Sequence, residues 1–184
     1  MKRTEIRLAG SGGQGLITAA RIMAKAALLD GLNALQSQVY GAEARGGATK
    51  SEVVMANREV WYPEVLEPDI VAIMTKASFV KYGLKVKKNG LRIIDTFMVP
   101  EYDDHPDFKT VGIPFTHYAE TQLKNRLSTN IVLIGYLIAK TKVVRPESFV
   151  KAIGDFFKDE KLSNNEKAFW LGHSLLGKED RISG

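Results

Sequence analysis

Apolar and polar residues alternate along this chain in a pattern that predicts strands and helices in turn. In residues 4–9, Ile6 and Leu8 fall on one face of a strand, and Glu5 and Arg7 fall on the other. A glycine-rich turn follows, and after it apolar residues recur at helical spacing. Short apolar or alternating runs predict further strands at residues 33–40, 69–74, 91–95 and 109–115.

The last third of the chain has a helical pattern throughout. From Asn130 onward three helices are predicted, at residues 130–142, 146–158 and 164–175. Pro146 suits a first helical position, Ser163 suits an N-cap, and Gly31 suits the C-terminal stop of the first helix. Further helices are predicted at residues 16–27, 77–86 and 119–124.

One segment interrupts the alternation of strands and helices. The run "SEVVMANREVWYP" (51–63) predicts a β-hairpin that turns at Asn57-Arg58. Strands that alternate with helices imply a mainly parallel sheet covered on both faces. We therefore predict an α/β fold, a three-layer Rossmann-like domain with a mainly parallel sheet, a β-hairpin insertion and a helical C-terminal cap. A length of 184 residues suits a single domain over residues 1–184.

The composition limits which metal groups and partners this chain can bind. The chain has no cysteine, so it carries neither disulfides nor cysteine-ligated zinc or iron–sulfur clusters. The net charge is +5, but the lysine-rich run at residues 81–90 contains few aromatic residues, which is typical of a solvated helix face. The N-terminus lacks the apolar run of a signal peptide, and the apolar stretch 131–139 is too short to span a bilayer. We expect a cytoplasmic protein that binds neither nucleic acid nor a membrane.

The turn "GSGGQG" at residues 10–15 is the leading candidate for a binding site. Gly10, Gly12 and Gly15 satisfy the G-x-G-x-x-G spacing between a strand and a helix. Such a turn can hold a phosphate between backbone amides at a helix N-terminus. It can also serve only to let the strand and the helix pack closely. Asn130 either caps its own helix or reaches this turn.

Dinucleotide binding requires a second feature that this chain lacks. An acidic residue should end the second strand and bind the adenosine ribose, but that strand contains Gln36, Ser37 and Gln38. Asp30 precedes the strand and Glu43 follows it. No Gly-Lys-Ser/Thr follows the turn, so a Walker loop is also excluded.

A second glycine pair strengthens the case for a binding surface. In "YGAEARGGATK", Arg45 is followed by Gly46 and Gly47, and arginine suits a carboxylate or a phosphate. The alternative is a simple turn in which Arg45 pairs with Glu43 or with solvent. The "DDHPD" segment (103–107) has no recognised metal-ligand spacing, so we expect no metal site there. We assign no catalytic residue, since no acid–base pair or serine elbow is present.

Five segments occur in an order that is informative as a set. They are "AGSGGQGLITAARIMAKAA", "QSQVYGAEARGG", "PDIVAIM", "NIVLIGYL" and "NNEKAFWLG". Together they resemble the gamma subunit of 2-oxoacid:ferredoxin oxidoreductases, over residues 6–174. Within that family, "QSQVYGAEARGG" looks most like enzymes that act on 2-oxoglutarate. Enzymes acting on pyruvate, branched-chain 2-oxoacids (ketoisovalerate) or indolepyruvate are the alternatives.

The resemblance implies an oxidoreductase complex rather than an independent enzyme. Such a complex converts a 2-oxoacid and coenzyme A to acyl-coenzyme A and carbon dioxide and reduces ferredoxin. The family's thiamine diphosphate, Mg²⁺ and [4Fe–4S] clusters are expected on the alpha, beta and ferredoxin-like delta subunits. This chain has no cysteine and no G-D-G…N-N segment, so we expect it to bind no cofactor alone and to be inactive in isolation.

The resemblance also suggests a ligand for the glycine motifs. Coenzyme A carries anionic phosphates that an amide-lined turn can receive. The predicted contacts are Gly10, Ser11, Gly12, Gly13, Gln14, Gly15, Arg45, Gly46 and Gly47. The same residues could instead contact the backbone of another subunit. The alternative for the whole chain is a free-standing Rossmann-like nucleotide-binding protein or an NAD- or FAD-dependent oxidoreductase.

Overall fold

The computed structural model describes residues 3–39, 47–62 and 64–178. Within these ranges the strands are β1 (Thr4–Ser11), β2 (Asn33–Val39), β3 (Ala48–Ala56), β4 (Ile70–Ile73), β5 (Leu91–Asp95) and β6 (Lys109–Ile113). The α-helices are α1 (Leu16–Leu29), α2 (Lys76–Tyr82), α3 (Phe115–Gln122), α4 (Thr129–Thr141), α5 (Pro146–Phe156) and α6 (Asp159–His173). A short 3₁₀ helix over Arg126–Ser128 precedes α4.

These strands form one sheet in the order β2-β3-β1-β4-β5-β6. β1, β4, β5 and β6 pair with one another in parallel. β3 runs antiparallel to both of its neighbours, β1 and β2. Since β2 therefore runs in the same direction as β1, only β3 is reversed among the described strands. The prediction of a mainly parallel sheet is confirmed.

A β-hairpin is present, but at a different position from the predicted one. It consists of β2 and β3, which are consecutive in the chain and pair antiparallel. The predicted turn at Asn57-Arg58 was wrong, because β3 ends just before it and the described residues between β3 and β4 form no strand. The physical reason is the place of β3 inside the sheet. Both of its edges are already hydrogen-bonded, so a returning strand would have no free edge to pair with.

Helices cover both faces of the sheet, as predicted. On one face α1 and the C-terminal helices enclose the larger apolar core, to which β1 contributes Ile6 and Leu8. On the other face α2 and the loops around it enclose a smaller cluster that includes Ile73 and Tyr82. Because this second face is also covered, Arg7 is buried although its position in the pattern is polar. No helix among the described residues is long and apolar enough to cross a bilayer.

Several helix boundaries differ from the predicted ones. Ser163 is not an N-cap but lies inside α6, which begins earlier, at Asp159. Asp159 and Glu160 occupy the first turn of α6, where negative charge is favourable against the helix dipole. α3 likewise begins earlier than predicted, at Phe115, and α2 ends earlier, at Tyr82. In these polar segments the apolar residues recur only weakly at helical spacing. The pattern therefore predicted that a helix is present but not the residues at which it begins and ends.

Two predicted helix boundaries are confirmed. Pro146 is the first residue of α5. Gly31 has a φ of +77° directly after the end of α1. The N–H groups of Gly31 and Leu32 donate to the carbonyls of Leu28 and Ala27, at 3.0 Å each. This is the usual hydrogen-bond arrangement at a helix that ends on a left-handed glycine.

Asp30, the C-cap residue of α1, joins the end of that helix to the start of α5. Its carboxylate accepts hydrogen bonds from the backbone N and Nε of Arg145, at 2.7 and 2.8 Å, and from the hydroxyl of Ser148. Burial opposes the ionisation of Asp30, but the hydrogen bonds from Ser148 and Arg145 outweigh it and lower the pKa of the carboxyl group. Asp30 is thus a cap for the start of α5.

Replacing Asp30 with alanine should lower the free energy of unfolding by about 2–3 kcal/mol, because three donors lose a charged acceptor. Urea denaturation near neutral pH measures the change. Asp155→Ala is a matched control, since Asp155 forms an exposed ion pair with Lys25 at 3.2 Å. We expect a change below about 0.5 kcal/mol there. Equal effects of the two substitutions would contradict the capping role.

Candidate functional site

The glycine turn, residues 10–15, connects the end of β1 to α1 at the carboxyl edge of the parallel strands. Gly13 and Gly15 have φ values of +86° and +68°, which residues with side chains rarely adopt. Gly15 is the N-cap of α1 and has no side chain with which to accept a hydrogen bond. The N–H groups of the first turn of α1 are therefore left for another acceptor.

The outer glycines of the turn, Gly10 and Gly15, lie in close contact with neighbouring side chains. Gln14 Oε1 accepts a hydrogen bond from the N–H of Ser11 at 2.8 Å, and a Cβ on Gly10 would collide with this oxygen. A Cβ on Gly15 would lie 2.6 Å from Asn130 Nδ2. This nitrogen donates to the Gly15 carbonyl at 3.2 Å, so Asn130 does reach the turn. Helix α4 thereby holds the start of α1 in place.

The inner glycines, Gly12 and Gly13, have open space beside them instead of close contacts. Gly12 and Gly13 are exposed, and a Cβ on either would meet no atom of the described residues within 4 Å. They border a cleft of about 390 Å³ that is lined by residues 11–18, Thr49 and Lys50. We call it the glycine cleft. The outer glycines therefore lie in close contact with their neighbours, and the inner glycines leave backbone exposed at the cleft.

The sheet register places Gly47, the last residue of the second glycine motif, beside this cleft. Ala48, the first residue of β3, pairs with Ser11, the last residue of β1. Gly47 directly precedes Ala48, so the chain enters β3 next to the glycine turn. Arg45 and Gly46 lie outside the described residues, and their contact with a ligand stays a prediction.

Lys50 supplies positive charge in the wall of the cleft. Its side chain is 17% exposed, and its Nζ lies 2.9 Å from Glu52 Oε1. The Nε of Arg7 lies 2.7 Å from the same oxygen, so one carboxylate faces two cations. Sequence reasoning missed Lys50 and Thr49. Only the antiparallel register of β3 against β1 brings them to the glycine turn.

Of the two acidic residues near β2 in the sequence, Asp30 does not fit the ribose contact of a dinucleotide site. Asp30 lies at the end of α1 remote from the glycine turn, and it is engaged with α5. Glu43 lies outside the described residues. On β2 itself, Gln36 Nε2 donates to Ser51 Oγ at 3.0 Å, in contact with the neighbouring strand. The described part of the site therefore offers no nicotinamide-type ribose anchor.

The DDHPD segment forms a turn. The ring of His105 stacks on Phe108 with 4.3 Å between centroids, and its Nδ1 accepts a hydrogen bond from the N–H of Asp107 at 3.2 Å. The backbone carbonyl of Asp103 accepts a hydrogen bond from the guanidinium of Arg92. Nowhere in residues 3–39, 47–62 and 64–178 do three His, Asp or Glu side chains come together as metal ligands would.

Asp95 is a buried carboxyl group at the end of β5. It accepts hydrogen bonds from the backbone N–H of Phe97 (3.2 Å), and from the N–H (3.1 Å) and hydroxyl of Thr116. Burial raises the pKa of Asp95 to about 6, although the hydrogen bonds from Thr116 favour the ionised form. Asp95 does not line the glycine cleft. It joins the end of β5 to the start of α3.

Comparisons with known proteins point to one family. The model of the pyruvate ferredoxin/flavodoxin oxidoreductase family matches residues 5–175. The 2-oxoglutarate synthase subunit KorC of Methanocaldococcus jannaschii is 40% identical over 176 residues, which are 94% of each chain. The pyruvate synthase subunit PorC of the same organism is 33% identical, over 95% of this chain and 98% of its own.

Solved structures show the same fold. The gamma subunit of a keto/oxoacid ferredoxin oxidoreductase from Geobacter sulfurreducens is 35% identical, with a TM-score of 0.83 over 93% of this chain and 96% of its own. A 2-oxoglutarate:ferredoxin oxidoreductase from Magnetococcus marinus, solved with 2-oxoglutarate, coenzyme A and succinyl-CoA bound, has a TM-score of 0.86. At 22% identity, over 97% of this chain and 32% of that chain, it shows the fold alone.

The chain belongs to the pyruvate ferredoxin/flavodoxin oxidoreductase family, as a gamma-type subunit of a 2-oxoacid:ferredoxin oxidoreductase. The resemblance that the five sequence segments indicated is therefore confirmed. The match to the family model includes both the glycine turn and the C-terminal helices, so it covers nearly the whole chain.

Gly15→Ala should lower the free energy of unfolding by about 1–3 kcal/mol, because alanine is strained at a positive φ and its Cβ would meet Asn130. Gly12→Ala, on open backbone, should change it by less than about 0.5 kcal/mol. Chemical denaturation of the two variants in parallel measures the difference. Comparable destabilisation by both substitutions would contradict the distinction between Gly15, which is closely packed, and Gly12, whose backbone is exposed.

Asp95 should make stability depend on pH. Its folded pKa of about 6 exceeds the value of 3.8 for an ordinary aspartate, so its contribution to stability is fully present below pH 3.8 and is lost as the pH rises through 6. Asp95→Asn cannot titrate. Between about pH 4 and pH 7 the wild type should therefore lose more stability than this variant, by a difference on the order of 2 kcal/mol. Denaturant titrations across this range test it, and parallel pH profiles would contradict it.

Proposed function

We propose that this chain is the gamma subunit of a complex that oxidatively decarboxylates 2-oxoglutarate with coenzyme A, giving succinyl-coenzyme A and carbon dioxide and reducing ferredoxin. Relatives named 2-oxoglutarate synthase subunit KorC support this substrate at 38–40% identity. The pyruvate synthase subunit at 33% makes pyruvate the alternative substrate.

The redox and thiamine chemistry of the complex is proposed to lie on other subunits. The chain has no cysteine to ligate iron–sulfur clusters, and no G-D-G…N-N segment to hold thiamine diphosphate and Mg²⁺. Its residues therefore do not fit those groups, and no catalytic step is assigned to it. Its partners are proposed to be alpha, beta and ferredoxin-like delta subunits.

We place the complex in the cytoplasm and treat residues 1–184 as one domain.

The role proposed for this chain is to help hold coenzyme A in the glycine cleft. The observation that carries this proposal is the open backbone at Gly12 and Gly13 where α1 begins. The N–H groups at a helix N-terminus stabilise an anion such as a pyrophosphate, and the Lys50 ammonium in the cleft wall adds positive charge. The ligand is thereby oriented, with its thiol free to reach the catalytic subunits.

The pair Gly46-Gly47 and the side chain of Arg45 are proposed to contribute to the same site. Gly47 directly precedes β3, whose first residue pairs with Ser11 of the glycine turn. An arginine on this loop would give a second cation with several donors for phosphate oxygens. The proposed contacts are those named from the sequence, Gly10–Gly15 and Arg45–Gly47, with Lys50 added.

Gly12→Val in the assembled complex should raise the KM for coenzyme A roughly tenfold, equivalent to losing about 1.4 kcal/mol of binding, because the side chain fills the cleft. The kcat at saturating coenzyme A and the KM for 2-oxoglutarate should stay within about twofold. Steady-state kinetics measures all three. An added Cβ at Gly12 meets no atom of the described residues within 4 Å, so the fold should be retained.

The matched control is Gly154→Val in α5, where an added Cβ also meets no described atom. It should leave the KM for coenzyme A unchanged. Arg45→Ala should raise that KM in the same way as Gly12→Val. An unchanged KM for coenzyme A in both Gly12→Val and Arg45→Ala would exclude the coenzyme role and favour contact with another subunit.

A further inference from the structure

A second cavity lies on the α2 side of the sheet and is separate from the glycine turn. It has a volume of about 380 Å³, and its lining includes Arg7, Lys50, Glu52, Tyr82 and Lys85. We call it the Arg7 cavity. Lys50 is the residue that it shares with the glycine cleft among those that the structure describes.

The guanidinium of Arg7 has unused hydrogen-bonding capacity beside this cavity. Arg7 is only 2% exposed, and its Nε and Nη2 donate to Glu52 Oε1 and to the carbonyl of Val65, both at 2.7 Å. Its Nη1 is buried without a hydrogen-bond partner among the described residues. The guanidinium, whose carbon lies 5.5 Å from the ring centroid of Tyr82, therefore keeps part of its positive charge without a hydrogen-bonded acceptor, and this favours an anion nearby.

The cavity also has more positive than negative charge. Lys50 and Arg7 share a single oxygen of Glu52, so one carboxylate balances only one of the two cations. Lys85 adds a third cation at the rim, 5.9 Å from the ring centroid of Tyr82. Exposed Glu64 is the other acidic residue of the lining. The charged side chains of the lining therefore sum to a net charge of +1. Several of them are largely buried, where water screens their charges less than at the surface.

The geometry of the donors favours a phosphate group over a carboxylate. A carboxylate pairs best with the two-pronged edge of a guanidinium, but two of the three nitrogens of Arg7 are already engaged. A phosphate accepts hydrogen bonds from several directions, which suits separate ammonium groups. Lys50 can turn to a ligand because Glu52 would keep its hydrogen bond to Arg7.

We propose that the Arg7 cavity is a phosphate-binding site, in which Lys50 and Lys85 contact the anion. The positive charge of the buried Arg7 guanidinium stabilises the anion electrostatically. Two sources have this chemistry, free inorganic phosphate and the phosphate monoester of a nucleotide ligand. The site does not depend on the coenzyme role proposed for the glycine cleft. Lys85 belongs to the Arg7 cavity and not to that cleft.

Calorimetric titration of the full chain with inorganic phosphate, at constant ionic strength, tests this site. We expect saturable binding of one phosphate per chain and a Kd that rises roughly fivefold in Lys85→Gln. Lys81→Gln is the matched control. Lys81 is also an exposed lysine, 5.8 Å from the same Tyr82 ring, but it does not line the cavity. It should change the Kd by less than about twofold.

Competition identifies the source of the phosphate. Displacement by coenzyme A, but not by coenzyme A that lacks its 3′-phosphate, would identify a nucleotide monoester. Displacement by neither would identify free phosphate as the ligand. Displacement by both would place the bound phosphate in the glycine cleft and overturn the assignment. No saturable binding, or equal effects of Lys85→Gln and Lys81→Gln, would also overturn it, whatever the Gly12→Val kinetics show.

Discussion

The antiparallel pairing of β3 with β1 determines where the functional groups of this subunit lie. It places Ala48 beside Ser11, and so brings Gly47, which directly precedes Ala48, next to the glycine turn. The same register sets Glu52 opposite Arg7 and puts Lys50 between the glycine cleft and the Arg7 cavity. A register slip of one residue would turn each of these side chains to the other face of the sheet.

The glycine turn shows how one short motif meets two demands. The outer glycines let Gln14 fold back onto the turn and let Asn130 anchor it from α4. The inner glycines keep the backbone open at the start of α1. A binding surface of backbone amides needs this division, because amide groups can receive an anion without reorganisation only when the surrounding chain holds them still. In the role that we propose, this subunit supplies an ordered surface of backbone amides, and the redox chemistry lies on the other subunits.

Features that depend on local pattern could be predicted from the sequence. The sheet's mainly parallel character, the Pro146 and Gly31 helix boundaries and the family itself were all predicted correctly. The hairpin was placed wrongly because strand pairing depends on which sheet edges are free, and that is a property of the whole fold. Lys50 was missed for the same reason. The capping of α5 by Asp30 has no local signal, since its two partners lie more than a hundred residues away in the chain.

The most direct test of the central claim is a structure of the assembled complex with coenzyme A bound. The distance to measure is that from the phosphate oxygens of coenzyme A to the backbone nitrogens at the start of α1. We predict hydrogen-bond distances of about 3 Å there, with Lys50 in the wall of the occupied cleft. A cleft filled by the backbone of another subunit, with every coenzyme A phosphate bound elsewhere, would contradict the account.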